Sequence, residues 1–193
     1  MIALPPAPAP APRRQLLVGT ALASAAVASL VGGMLALYLR FRDVAIHGAD
    51  GRWVPKGVKM SMVPPNVMLL ALVPLCIFAQ WAVYAAKRGD RSHVGVALFL
   101  VIVLGLAFIN GQAVMYGMLG LPVNQGTFSV MFYAVTGVVV AMAIVGVVFT
   151  SITVFRYLGG RSADRELVSA HALYWYCFSA VFALVWFVVY VTK

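Results

Sequence analysis

The sequence predicts an all-α fold, an integral membrane bundle of five transmembrane helices. Three observations predict it. Of the 193 residues, 63% are hydrophobic and only 10% are charged, against about half apolar and a quarter charged in an ordinary globular chain. So few charges cannot cover a soluble surface. The apolar residues also gather into five long stretches, each near the roughly 20 residues a helix needs to cross a hydrocarbon core about 30 Å thick. Finally, these stretches are apolar on every face, whereas a membrane barrel strand alternates polarity over about ten residues.

The elements follow in order. Residues 1–14 form an Ala/Pro-rich tail that cannot be helical and reads as disordered. The membrane domain then runs over 15–193. Its first span is 15–39, bounded by Arg13-Arg14 and by Arg40 and Arg42. Arg13-Arg14 before an Ala-rich run also resembles an export signal, but the run is too long for one and four more spans follow. The second span, 67–86, starts after a Pro64-Pro65 break and ends at Lys87-Arg88, and Pro74 inside it predicts a kink. The third, 94–121, stops at Pro122. The fourth is 128–155, before Arg156. The fifth is 171–191, between Arg165 and Lys193.

Net charge is +9. In a soluble chain that would suggest nucleic acid. Here the basic residues sit between apolar runs and point to membrane orientation and anionic headgroups, so no nucleic-acid partner is expected. With five spans, Arg13, Arg14, Lys87, Arg88, Arg91, Arg156, Arg161 and Arg165 share one side. Arg40, Arg42, Arg52, Lys56, Lys59 and Lys193 share the other. The fuller side is the N-terminal one, which predicts a cytoplasmic N-terminus.

The membrane interior lacks the groups of catalysis. No formal charge occurs between Arg91 and Arg156, and His47, His93 and His171 read as loop or helix-end residues. Cys76 and Cys177 lie in separate apolar runs and read as small buried hydrophobes. A haem-ligating pair needs imidazoles at membrane depth on facing helices. No catalytic, cofactor-binding or metal residue is therefore expected in this chain. What remains is packing. Ala21, Ala25, Ser29 and Gly33 recur every four residues on the first helix, and Gly137 and Ala141 repeat the pattern on the fourth. Such ridges let helix backbones approach closely, inside the bundle or at a subunit interface. The intramembrane amides Gln80, Asn110 and Gln112 suit interhelical hydrogen bonds; with Thr136 they are also the only candidates for a polar transport path. The last helix carries aromatics all round, from Tyr174 to Tyr190, which suits lipid and interface anchoring.

Together these residues resemble subunit III of the haem–copper (cytochrome c) oxidases, in a short five-helix form. The resemblance rests on Val18-Gly19-Thr20 with Gly33 and Tyr38, the basic loop Lys87-Arg88-Gly89-Asp90, and Gly111-Gln112 with Tyr116. Ser129 to Tyr133 with Thr136-Gly137, then Tyr174-Trp175, continue it. This sequence departs from the family pattern at its ionisable positions. Val27 stands for a glutamate, Val139 and Met142 for two histidines, Met115 for an acid, and Tyr176 and Ser179 for a His and an Asp. The resemblance implies a divergent accessory subunit of a bacterial respiratory oxidase, multi-pass in the inner membrane. It would stabilise a catalytic subunit I that holds the haems and copper, and bind phospholipid. An accessory subunit of a nitric oxide reductase or another respiratory complex, or a small transporter, are the alternatives.

Overall fold

The computed structural model describes residues 14–48, 51–159 and 165–192. Apart from Arg14, the expected tail lies outside them. Five helices account for the architecture: α1 (Gln15–His47), α2 (Val63–Arg88), α3 (Arg91–Leu119), α4 (Thr127–Leu158) and α5 (Arg165–Val185), the last continuing as a π-helical turn over Trp186–Val191. All five are long and apolar enough to cross a membrane. All five run beyond the apolar stretch that signals them at one end or both, because a helix does not stop where the hydrocarbon does. α1 continues through Arg40 and Arg42 for a total of 33 residues, about 50 Å. Pro64 and Pro65 do not precede α2 but occupy its first turn, where a missing N–H costs nothing. α2 also stays helical through Pro74. α3 ends slightly earlier than its stretch, at Gly120, whose φ of +58° closes the helix in the left-handed region.

α2 packs most extensively on α3, and α5 is touched by α1, α2 and α4. α1 is the peripheral helix. The inward stripe of α1 is Ser24, Val31, Leu35 and Tyr38, at steps of seven, four and three, and so stays on one side of a 3.6-residue helix. The segment between α1 and α2 is pinned to the bundle by Trp53. Its ring lies edge-on to Tyr38 at 5.1 Å and to Phe128 at 5.5 Å. At the opposite end of α1, the Leu17 N–H donates to Glu166 Oε1 of α5 at 3.0 Å. A carboxylate thereby meets one of the orphan donors at the positive end of a helix.

The centre of the bundle is aromatic. Phe108 of α3 meets Phe178 and Phe182 of α5 edge-on, at 5.0 and 4.7 Å. Trp175, Phe178, Phe182 and Tyr190 are fully enclosed. This corrects the reading of the last helix as a lipid anchor: its aromatics are mostly core, and of that set Tyr176 and Phe187 face outward. The physical reason is that edge-to-face rings fill volume and add about 0.5–1.5 kcal/mol beyond their area, an advantage that lipid contact does not give.

The close approaches between helices occur at glycines outside the expected ridges. A Cβ at Gly146 of α4 would sit 2.8 Å from Trp175 and 2.9 Å from Tyr174. One at Gly105 of α3 would sit 2.7 Å from Val147 and 3.1 Å from Trp175. By contrast, Cβ positions at Gly33 and Gly137 meet nothing within 4 Å. Gly146→Ala should therefore destabilise the fold by about 1–3 kcal/mol through overpacking, while Gly33→Ala leaves the fold of the single chain unchanged. Thermal unfolding midpoints of the two purified variants in detergent check this contrast.

Candidate functional site

Three features of the bundle could carry function: a buried polar node, an outward face of small residues, and a cationic recess at one end. The node lies between α4 and α5. Thr150 Oγ1 sits 2.7 Å from the Gly146 carbonyl, one turn back on its own helix. Its single proton goes there. Its lone pairs are left to accept from Trp175 Nε1 at 3.0 Å and from His171 Nε2 at 3.0 Å. His171 must then carry its proton on Nε2, and its Nδ1 is enclosed without a partner. The position of His171 corrects the sequence reading. It is no helix-end residue but lies in the second turn of α5, fully buried. The Tyr174-Trp175 doublet drew attention in the sequence, yet the signal was four residues earlier. His171 and Trp175 stand at i and i+4, on one helix face.

The expected site residues divide. Gln112 is buried and accepts from Tyr190 Oη at 3.3 Å, joining α3 to the π-helical turn. Thr136, also buried, accepts from Tyr116 Oη at 2.9 Å. Gln80 Oε1 accepts from Tyr176 Oη at 2.6 Å on the outer side of α2 and α5. Asn110 is exposed on α3, apart from all three. Tyr116 joins Gln112 to Thr136, while Gln80 and Asn110 lie apart from that pair. Cys76 and Cys177 are free and half-buried, facing Ser179 Oγ and the Ser24 carbonyl.

Ala21, Ala25, Ser29, Gly33, Gly137 and Ala141 are all exposed. The ridges are not contacts inside the bundle. A four-residue step overshoots one helical turn by about 40°. On α1 it spirals away from the inward stripe, and by Gly33 it points outward. Only the subunit-interface half of that expectation remains open.

The recess lies where α1, α2 and α5 meet at the N-terminal end of α1. It has a volume of about 410 Å³ and is lined by Arg14, Lys87, Arg165 and Glu166, with Leu17, Val83 and Ser169. Three cations face one carboxylate already engaged by the α1 backbone. Three residues beyond Lys87, Asp90 caps α3 by accepting from the His93 N–H and pairs with the His93 ring. These hydrogen bonds hold its carboxyl below the usual carboxylate range. Among the described residues no group of three or more His, Cys, Asp or Glu could hold a metal ion.

The sequence pattern of the family cytochrome c oxidase subunit III matches residues 34–193. The chain belongs to that family. Cytochrome c oxidase subunit 3 of Rattus norvegicus is 28% identical over 136 residues, covering 69% of this chain and 52% of the relative. That of Bos taurus is 30% identical over 129 residues, covering 65% and 49%. The chain thus spans about half the length of the curated relatives it matches. At four of the six positions where the resemblance puts ionisable groups, this chain has apolar side chains. Met115, Val139 and Met142 are core residues, 1%, 1% and 7% exposed. Val27 is half-buried. Removing such charges together leaves no uncompensated partner in a low-dielectric interior.

The node supplies a direct test. Thr150→Val keeps the shape but strands the Trp175 N–H and the His171 N–H, which should cost about 1–3 kcal/mol. Thr153→Val removes only a hydroxyl bonded to the Phe149 carbonyl of its own helix and should cost far less. Unfolding of the two variants side by side in detergent measures the difference.

Proposed function

We propose that the chain is a non-catalytic accessory subunit of a bacterial respiratory haem–copper oxidase. It sits beside the catalytic subunit I, which holds the haems and copper, in the inner membrane. The observation that carries this reading is the subunit III pattern over residues 34–193. Buried Met115, Val139 and Met142 support a role without proton exchange, since none of them can carry a proton. Its contribution is packed area and held lipid. The outward small residues of α1 and α4 form the face on which another subunit's helix can approach closely. The cationic recess of Arg14, Lys87 and Arg165 suits the phosphate of an anionic phospholipid at the membrane surface.

A deletion strain tests the assignment. Oxidase activity in isolated membranes should start near the wild-type value, while its half-life during turnover shortens, because the lifetime of such assemblies is a rate property. Immediate loss of activity with the haem-bearing subunits still present would reject the non-catalytic role. Unchanged lifetime and subunit composition would reject membership of an oxidase.

The excess of Lys and Arg on its side supports a cytoplasmic N-terminus. Cysteine introduced at Ser92 should then resist an impermeant thiol reagent added outside, and cysteine at Ser61 should react. The reverse pattern would show that the basic segment between α1 and α2 is the cytoplasmic one.

A further inference from the structure

At the end of the bundle opposite the cationic recess, a cavity of about 440 Å³ opens between the segment joining α1 to α2 and the start of α4. Its size falls within the roughly 300–1,000 Å³ of ligand sites. Arg52, Trp53 and Lys56 line it from the joining segment, and Gln125 and Thr127 from the start of α4. Among the described residues no carboxylate lines it. Asp43, two residues before the lining Ala45, is already engaged by Arg40 and His47.

Donors collect here without acceptors. α4 begins at Gly126, which has no side chain to cap the helix, and the first turn carries no acid. The first N–H groups of a helix have no partner within it and carry the positive end of its dipole. Trp53, which borders the cavity, is 6% exposed, yet its Nε1–H meets no acceptor. Tyr38 lies beside that ring, fully enclosed, and its hydroxyl has no partner either. If Trp53 turned its proton to the Tyr38 oxygen, the Tyr38 proton would still be left over. Arg42, one turn further along α1, acts on Tyr38 with its charge and has an enclosed Nε without a partner. An enclosed donor that meets no acceptor is costly. Three of them under a cation-lined cavity call for an anionic oxygen from outside the chain.

The surroundings favour a polypeptide as the source of that oxygen. A second recess of about 710 Å³ shares Arg52, Trp53 and Val54 with the cavity, and Ile46, Val58 and Lys59 also line it. A small anion would use the first space alone. A chain with a carboxylate in one and an apolar side chain in the other uses both. The same chemistry occurs within the molecule, where Glu166 of α5 meets the Leu17 N–H at the start of α1. We infer that this end of the bundle docks an acidic polypeptide segment of a partner protein, one carboxylate of which enters the cavity between Arg52, Lys56 and the start of α4 and takes the Trp53 N–H. The inference concerns the chain's own surface and stands whichever complex the chain joins.

The test uses the full chain in nanodiscs of phosphatidylcholine and a synthetic peptide of alternating glutamate and leucine that carries one photoreactive leucine analogue. Crosslinks should map to residues 51–62 and to the start of α4, and added salt should weaken them. The glutamine–leucine counterpart should label roughly tenfold less, the worth of one hydrogen bond to a charged group. Arg52→Gln should lower labelling to a similar degree. Trp53→Phe keeps a ring in place but removes the N–H, and should lower labelling as well. Lys87→Gln, at the opposite end of the bundle, should leave it unchanged, and unfolding midpoints show that each variant is folded. Equal labelling by the two peptides, or undiminished labelling in folded Arg52→Gln or Trp53→Phe, would overturn the inference. Displacement of the peptide by an equal concentration of inorganic phosphate would also overturn it, by showing a site for free anions.

Discussion

The bundle depends on how Trp175 is seated. Its ring fits against two glycines on different helices, Gly105 of α3 and Gly146 of α4, where even a methyl group would clash. Its indole N–H is consumed by Thr150, and its face meets Phe178 edge-on at 5.3 Å. One side chain of α5 thus sets the distance to two neighbours at once. In a membrane this matters more than in water. Lipid tails are as apolar as leucine, so helices gain little by hiding apolar surface from each other. Association then rests on close van der Waals contact and on hydrogen bonds that leave no donor stranded. The Trp175 seat supplies both.

The same constraint explains the treatment of polar groups. The intramembrane hydroxyls of Thr136, Thr150 and Thr153 each donate back to a carbonyl four residues earlier. That satisfies the proton locally and leaves lone pairs for a neighbour. Tyr116, Trp175 and His171 use those lone pairs to join helices. Such a network needs no ionised member. It is compatible with the apolar residues at Met115, Val139 and Met142, where the resemblance puts ionisable ones, because helix connections inside the bundle run through neutral hydrogen bonds and rings.

The outer surface is organised differently from the core. α1 touches the rest of the bundle along one stripe and turns small residues outward, while its N-terminus is tied down by Glu166. A long helix held on one side is free to serve an assembly on the other. The cationic recess opens at the N-terminal end of α1, beside the C-terminal end of α2. Helix packing, outward small residues and cationic recess therefore fall to different faces of the same chain. This is the arrangement expected of a subunit whose contribution is contact and not chemistry.

The number of helices, their order and the absence of a charged interior were legible in the sequence. They depend on composition summed over about 20 residues, and no tertiary contact can reverse that sum. The resemblance to subunit III was also legible, since it rests on local groups such as Lys87-Arg88-Gly89-Asp90 and Tyr174-Trp175. Only the tertiary structure decided which faces meet. Gly33 and Gly146 look alike in sequence; one faces outward and the other lies under Trp175. His171 sits near the edge of an apolar run, and only the start of α5 at Arg165 carries it into the interior. A membrane helix that is apolar all round has almost no amphipathic signal. Its orientation is set by shape fit with its neighbours, and that fit is a property of helix pairs which no single segment encodes.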